Sequence, residues 1–233
     1  MAGGSYKQFC PVAMAAEIVC TRWTVVLLRE LVAGSTRFND LRRGVPRMSP
    51  ALLSKRLKDL EEAGVVVRNP VKDEPGVFEY HLSRSGQELK AVVEVMGKWG
   101  QHWVETRHSL KNLDPSLLMW DMHRNIDPSP IPKRRVVVQF LYPELPASRR
   151  EWWLVVEPNK DVDLCSVDPG FEVDLYVSTD LKTMTSVWMG WMPIQQAVAN
   201  DKLMLTGDRQ LAEDIKIWLK LSPFAAEKSQ IAA

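Results

Sequence analysis

Residues 49–64, Ser-Pro-Ala-Leu-Leu-Ser-Lys-Arg-Leu-Lys-Asp-Leu-Glu-Glu-Ala-Gly, decide how the first half of the chain folds. Ser49 is a strong N-cap, Pro50 suits the first helical position because its missing N–H is not needed there, and Gly64 supplies a stop. At ~100° per residue, three leucines share one face. The opposite face is short, polar and basic. The two faces are Leu53, Leu57 and Leu60 against Ala51, Ser54, Lys55 and Lys58.

A helix with this division can enter the major groove of DNA, because its front is slim and carries donors for base edges and phosphates. Taken alone, the pattern is typical of an ordinary surface helix, so the neighbouring segments decide. Residues 36–44 predict a short helix with Phe38 and Leu41 facing inward, and residues 45–48 predict a turn. An apolar helix at about 23–33 is the expected buried centre of this domain. This is helix-turn-helix spacing.

The segment after the helix predicts a wing, a β-hairpin that reaches the flanking minor groove or phosphates. Residues 65–68 and 77–82 are strands by their β-branched and aromatic content, joined by a turn at 72–76. Between Thr36 and Lys72, nine basic residues stand against four acidic ones. That excess suits phosphate neutralisation, although a charge run alone is commonly a solvated face. The side chains predicted to contact DNA are Arg37, Arg47, Ser49, Pro50, Ala51, Ser54, Lys55, Lys58, Arg68 and Lys72.

A longer helix is predicted from Ser83 to about His108, with a broad apolar stripe. After a wing, such a stripe has few partners in its own domain, so we interpret it as a homodimer surface. The alternative is a helix that packs on its own domain. The stripe comprises Leu89, Val92, Val93, Met96, Trp99 and Trp103.

Composition places few limits on function. The chain has 233 residues with 45% apolar and 25% charged content, ordinary for a globular protein of one large or two small domains. The net charge is +1. Residues 1–110 hold 16 basic against 12 acidic residues, a balance of +4, and residues 111–233 hold 14 against 17, a balance of −3. This asymmetry indicates a nucleic-acid-binding first half.

Cysteine usage and hydropathy predict a cytoplasmic location. Cys10, Cys20 and Cys165 form no CxxC pair and no cluster with histidine, so neither a zinc site nor a disulfide framework is expected. We see no signal peptide and no stretch near the ~20 apolar residues of a membrane span. No metal and no cofactor are expected. The histidines lack a nucleophile motif, and phosphate loops and paired-carboxylate motifs are missing, so no enzymatic activity is predicted.

The second half predicts an α+β domain built on an antiparallel sheet. The domain scheme is a DNA-binding domain with its dimerisation helix at 1–110, a Pro-rich linker at 111–134, the second domain at 135–224 and a flexible tail at 225–233. Four strands are expected at 136–142, 152–157, 162–167 and 171–179, with Asp168-Pro169-Gly170 as a hairpin turn between the last two. Helices at 181–189 and 193–199, a strand at 202–206 and a final helix at 208–221 follow.

Two further groups of residues carry candidate chemistry. Cys10 precedes Pro11 at a helix N-terminus, where the dipole can lower a thiol pKa, so it is a candidate redox sensor; the alternative is a small buried residue that begins the helix. Cys20 and Cys165 are expected in the core. Tryptophan and methionine suit an adaptable pocket for a hydrophobic small molecule, and they suit an ordinary core equally. The predicted ligand-binding residues are Trp152, Trp153, Trp188, Trp191 and Met184.

Residues 10–96 resemble the HxlR-type winged-helix transcriptional regulators, relatives of the MarR type. The resemblance rests on pieces in order, including Cys10-Pro11-Val12, Arg22-Trp23-Thr24 and Arg37-Phe38-Asn39-Asp40-Leu41, and on residues 53–61 and 79–83. It implies operator binding as a dimer, with the helix after the turn in the major groove. Some relatives use a cysteine at the position of Cys10 to sense oxidants or electrophiles. Val19-Cys20 departs from the family, which carries small residues there.

Residues 135–222 more loosely resemble a sterol-carrier-protein-like domain, through the strand series and the run Asp201-Lys202-Leu203-Met204-Leu205-Thr206-Gly207-Asp208. That resemblance implies an apolar cavity for a lipid or another hydrophobic molecule. The leading hypothesis is a dimeric regulator that binds an inverted-repeat operator and responds to a hydrophobic effector. One alternative is a hydrophobic-ligand carrier or enzyme whose winged helix serves protein contacts. In another, the second domain only dimerises or binds a partner.

Overall fold

A computed structural model describes residues 5–104, 110–227 and 230. The chain divides into two compact units, Met1–Gly97 and Lys98–Ala233. The predicted end of the long helix near His108 and positions 228–229 and 231–233 of the predicted tail lie outside the described residues.

The first unit has the predicted order of helix, helix, short helix, turn, helix and hairpin. Its core is a cluster of leucines from three helices, closed by Val65, Val66 and Val93. Burial of Leu27, Leu28 and Leu31 confirms the apolar second helix as the centre of this unit. The elements are α1 (Pro11–Val19), α2 (Thr24–Val32), α3 (Phe38–Gly44), α4 (Pro50–Glu62), β1 (Val66–Pro70), β2 (Phe78–Leu82) and α5 (Arg84–Trp103), which continues into the second unit.

The second unit combines a five-stranded sheet with short helices. The strand order is β5-β4-β3-β6-β7. One face of the sheet packs against the helices in a large core that includes Phe140, Trp152 and Trp218, and the other carries a small cluster around Trp153. The elements are α6 (Pro115–His123), β3 (Val136–Leu141), β4 (Glu151–Val156), β5 (Asp163–Cys165), β6 (Leu175–Thr179), α7 (Leu181–Trp188), α8 (Ile194–Ala199), β7 (Leu203–Gly207), α9 (Arg209–Glu213) and α10 (Ile215–Trp218).

The sheet is mixed, which corrects the antiparallel prediction. β6 pairs in parallel with β3, with Val138 opposite Leu175, while the other neighbouring strands are antiparallel. The predicted hairpin at Asp168-Pro169-Gly170 is therefore wrong, because β5 and β6 are not neighbours. The turn is real but local: the Gly170 N–H donates to Asp168 Oδ1 at 2.8 Å. The chain then crosses to the far side of β3.

The predicted linker at 111–134 is part of the second unit rather than a connector. α6 begins after Asp114, whose side chain caps it, and contributes buried Met119 and Met122 to the core. Ile126 and Ile131 are buried in the same cluster. The prolines of this stretch prevent a long helix, but they do not stop its apolar side chains from packing.

Three smaller predictions also change. The predicted final helix is two short helices, α9 and α10, because the helical conformation is interrupted at Asp214. Cys20 is exposed, not in the core, and Cys165 is half-buried. The described part of the predicted tail makes contacts: Glu227 lies 3.2 Å from Lys98 Nζ and 3.0 Å from His102 Nε2.

Candidate nucleic-acid interface

The back of α4 fixes the helix to the core of the first unit. Leu53, Leu57 and Leu60 are each at most 1% exposed. The Ser49 hydroxyl accepts the N–H of Leu52 at 3.3 Å, which confirms the predicted cap. Because all the leucines of the stripe point inward, the opposite face of α4 is left to solvent.

The front of α4 carries the predicted small and basic residues, and all of them are exposed: Ala51, Ser54, Lys55 and Lys58. Lys58 pairs with Glu62 at 3.6 Å, but both side chains are well exposed, at 75% and 65%. Such a pair contributes about 0–1 kcal/mol, so a phosphate can displace the glutamate. No carboxylate within the described ranges pairs with Lys55. The front is therefore a slim cationic ridge.

Arg56 belongs to the same helix but serves the fold. Its guanidinium donates to the Arg22 carbonyl at 3.2 Å and to Asp59 at 2.8 Å. The side chain is only 18% exposed. It ties α4 to the loop before α2, so it is not available on the front.

The wing carries two further predicted residues, Arg68 and Lys72. The Arg68 guanidinium carbon lies 3.5 Å from the centre of the Phe78 ring on the neighbouring strand. This cation–π stacking holds the side chain in place without neutralising its charge. Lys72 is exposed in the turn. Arg47, also predicted, is exposed in the turn before α4.

Arg37 differs from the other predicted contacts, because two carboxylates hold it. Its guanidinium donates to Glu74 at 2.7 and 3.0 Å and lies 3.5 Å from Glu79. These hydrogen bonds hold the pKa of Glu74 below its usual range. Sequence reasoning counted Arg37 as a phosphate contact; its partners lie about 40 positions further along the chain, where no local pattern points to them.

A partly buried ion pair braces the helices behind the interface, and sequence reasoning missed it. The Glu30 side chain is fully buried, and the Arg29 guanidinium contacts it at 2.7 Å and donates to the Gly44 carbonyl at 2.9 Å. A Cβ added at Gly44 would lie 1.8 Å from a Glu30 carboxylate oxygen. A side chain at this position would have to displace the Glu30 carboxylate, so α2 and the end of α3 meet closely.

Two helices leave apolar surface uncovered. α1 has no buried residue. Phe9, which precedes the helix, is 97% exposed, and Val12, within it, is 75% exposed. In the predicted dimer stripe of α5, Val93 is buried in the first unit's core and Leu89 packs against it. The rest of the stripe is exposed, as is the neighbouring Val95: Val92, Met96, Trp99 and Trp103. The stripe therefore divides into a core side and an open side.

Cys10 is exposed at the start of α1, so the alternative of a small buried residue is wrong. The backbone N–H groups of Ala13 and Val12 stabilise the thiolate and lower the pKa of Cys10. The thiol is therefore accessible, and its surroundings favour the thiolate form.

The predicted ligand-binding residues are spread over the second unit. Trp152, Trp188 and Met184 lie in the large core, and Trp153 is buried on the opposite face of the sheet, as expected for adjacent residues of a strand. Trp191 is half-buried. A groove of 310 Å³ lies elsewhere, between α8, β7, α9 and α10. Its lining is mostly apolar: Ile194, Gln195, Val198, Ala199, Leu205, Ala212, Glu213, Ile215 and Lys216.

The described ranges contain neither a candidate metal site nor a single helix that could span a membrane. No group of three or more histidine, cysteine, aspartate or glutamate side chains there could hold a metal ion. No single described helix is long and apolar enough to cross a membrane; α1 and α2 would pass that test only together, across a bend of 82°.

A capped helix with a buried back and a cationic front, preceded by a turn and followed by a β-hairpin, defines a winged helix-turn-helix protein. Residues 18–108 match the family described as HxlR-like helix-turn-helix. The chain is 33% identical over 100 residues to an uncharacterized HTH-type transcriptional regulator, YvaP, of Bacillus subtilis, covering 42% of this chain and 93% of YvaP. It therefore belongs to the HxlR-like helix-turn-helix family.

Two other comparisons cover a similar share of the chain. The uncharacterized HTH-type transcriptional regulator YdeP of Bacillus subtilis is 34% identical over 94 residues, which cover 40% of this chain and 73% of YdeP. The solved structure of the redox regulator HypR in its reduced form is 31% identical with a TM-score of 0.37, and the match covers 39% of this chain and 90% of that chain.

Proposed function

We propose that this chain is a DNA-binding transcriptional regulator that binds an inverted-repeat operator as a homodimer. The observation that carries the proposal is the exposed front of α4, where Ser54, Lys55 and Lys58 stand on a helix whose back is locked into the core. Its relatives in the family are named as transcriptional regulators. The expected cytoplasmic location is part of this proposal, because the protein has to meet double-stranded DNA.

Each subunit places α4 in one major groove, with Ser49, Pro50 and Ala51 at the end that enters first. Short side chains allow close approach to base edges, and the two lysines meet phosphates. Arg68 and Lys72 of the wing reach the flanking groove or backbone. Arg47, in the turn before α4, contacts the backbone on the other side.

The homodimer is formed by the open side of α5 together with α1. Both present large apolar side chains, such as Trp99 and Phe9, that a monomer would leave in water. A two-fold dimer places its recognition helices about one helical turn of DNA apart, ~34 Å, so the two half-sites form an inverted repeat.

A hydrophobic small molecule acting through the second unit is the proposed input. The sterol-carrier-like resemblance suggests such a ligand, and the groove between α8 and α10 supports it with a mostly apolar lining, to which Gln195, Glu213 and Lys216 add polar groups. Cys10 is the alternative input through thiol modification, supported by its exposure and its lowered pKa. In either case the signal changes the spacing of the two recognition helices.

Selection of bound DNA from a random double-stranded library tests the proposal. The expected result is enrichment of one inverted repeat, with half-sites about one helical turn apart. Loss of all enrichment, with binding that does not depend on salt, would favour the rival in which the winged helix contacts proteins. Native mass spectrometry of the purified protein measures the subunit number and any copurified hydrophobic ligand in one experiment.

A further inference from the structure

The backbone bonds at the tip of the wing are local to its own turn. The turn between β1 and β2 is closed by local bonds, with the Val71 N–H donating to the Val77 carbonyl at 2.9 Å and the Val77 N–H to the Glu74 carbonyl at 3.0 Å. Beside it lies a cleft of 630 Å³ whose walls include Phe38 and Asn39 of α3 and Phe78 of the wing. Glu74 and Val77 of the turn line the same cleft, so the turn forms one of its walls.

The base of the wing is held differently, by the backbone. The Tyr80 N–H donates to the Thr36 carbonyl at 2.8 Å, and Arg37 and Glu79 form an antiparallel bridge. The segment before α3 thus runs along β2 like a short third strand. This support ends several residues before the tip.

The Arg37 side chain connects the base to the tip. Its two terminal nitrogens grip both oxygens of Glu74, at 3.0 and 2.7 Å, and its Nε lies 3.5 Å from Glu79. His81 contacts the other Glu79 oxygen at 3.3 Å. One guanidinium lies between two carboxylates, so the charge of Arg37 is already offset by anions of the protein itself.

We infer that Arg37 is a positioning residue, a tether that holds the wing tip beside the cleft, and that it does not contact phosphate. A bidentate pair supplies the fixed geometry that a tether requires. A wing already held in place loses less conformational freedom when Arg68 and Lys72 meet DNA, so the tether strengthens binding by pre-organisation. This last consequence rests on the proposed DNA-binding function; the tether itself belongs to the free protein.

The test compares two neutralising substitutions in one turn, Glu74→Gln and Asp73→Asn. Each removes a negative charge near the DNA, which by long-range electrostatics tightens binding. Asparagine suits the left-handed backbone of Asp73, at φ 66°, so this variant is the matched control. The tether predicts opposite signs: Glu74→Gln raises the Kd for the selected operator by about 3- to 10-fold, while Asp73→Asn leaves it equal or lower.

Arg37→Gln and Arg37→Lys complete the set. Both weaken binding as Glu74→Gln does, because lysine cannot make the bidentate grip. The slope of log K against log salt stays as in wild type for all four variants. A phosphate contact predicts a different set of results: a salt slope reduced by ~0.9 in Arg37→Gln, wild-type affinity in Arg37→Lys and tighter binding in Glu74→Gln. That set would overturn the tether.

Amide hydrogen exchange over residues 71–77 in the DNA-free protein separates this inference from the proposed function. Exchange is expected to be faster in Glu74→Gln and Arg37→Gln and unchanged in Asp73→Asn. Equal exchange in all variants overturns the tether whatever happens on DNA. If exchange changes as expected but the wild type binds no DNA, the tether stands and the proposed function fails.

Discussion

Helices α4 and α5 are both amphipathic, but they use their faces in different ways. α4 buries every leucine of its stripe and leaves a polar, basic front. α5 buries Val93 and leaves Val92, Val95, Met96 and Trp99 exposed. The first helix buries its apolar stripe and exposes basic side chains. The second helix leaves most of its apolar stripe exposed.

The difference indicates two kinds of partner. A cationic ridge on a rigid support suits a polyanion, and an exposed apolar stripe suits another apolar surface. A regulator that works as a dimer needs both. Substitutions in and around the two helices test this division of roles.

Leu57→Ala removes a side chain that is 1% exposed from the back of α4. We expect the free energy of unfolding of the first unit to fall by about 2–5 kcal/mol, because the transfer and cavity costs add. Denaturant unfolding followed by circular dichroism measures this. Ser54→Ala, on the front of the same helix, is the control and should change stability by less than ~0.5 kcal/mol. Equal effects of the two would mean that α4 has no distinct back.

Gly44→Ala tests the close approach of α3 to α2. Because the new methyl group would overlap the buried Glu30 carboxylate, we expect a loss of about 1–3 kcal/mol in unfolding free energy. Gly100→Ala, in α5, meets nothing within 4 Å and should be neutral or stabilising by up to ~1 kcal/mol, since alanine favours a helix. Thermal unfolding compares the two; a stable Gly44→Ala protein would contradict the bracing role of Glu30.

Trp99→Ala tests the open side of α5. Trp99 is 60% exposed in the chain, and we expect its removal to raise the dimer dissociation constant by about 30-fold or more, as for an aromatic side chain central to an interface. Lys90→Ala, on the same helix, is the control with little effect. Sedimentation equilibrium measures the dimer dissociation constant of each variant. If the Trp99 variant dimerises as wild type does, the subunits meet elsewhere.

The smallest effect concerns Cys10. Because the N–H groups of Ala13 and Val12 lower its pKa, the thiolate forms at a lower pH than in an ordinary thiol, and alkylation should reach half its maximal rate at a lower pH than in the unfolded chain. The rate is measured in a Cys20→Ser, Cys165→Ser background. The same protein unfolded in urea is the control and should titrate normally. Coincident pH profiles would remove the electrostatic basis for a redox role.

The sequence predicted best the features that depend on neighbouring residues. The Ser49 cap, the leucine spacing of α4 and the hairpin after it are local, so they fix the winged helix without knowledge of tertiary contacts. The pairing of β6 with β3 is not local, and no periodicity specifies which strands become neighbours. The carboxylate partners of Arg37 were not predicted for the same reason, since Glu74 and Glu79 approach it only after folding.

The most direct test of the central claim, that the front of α4 contacts DNA, is the salt dependence of operator binding by a Lys55→Ala, Lys58→Ala variant. If both lysines neutralise phosphates, the slope of log K against log salt should be smaller than the wild-type slope by about 1.8, or 0.9 for each contact. Lys90→Ala on α5 should retain the wild-type slope. A double variant with the wild-type slope and affinity would contradict the claim.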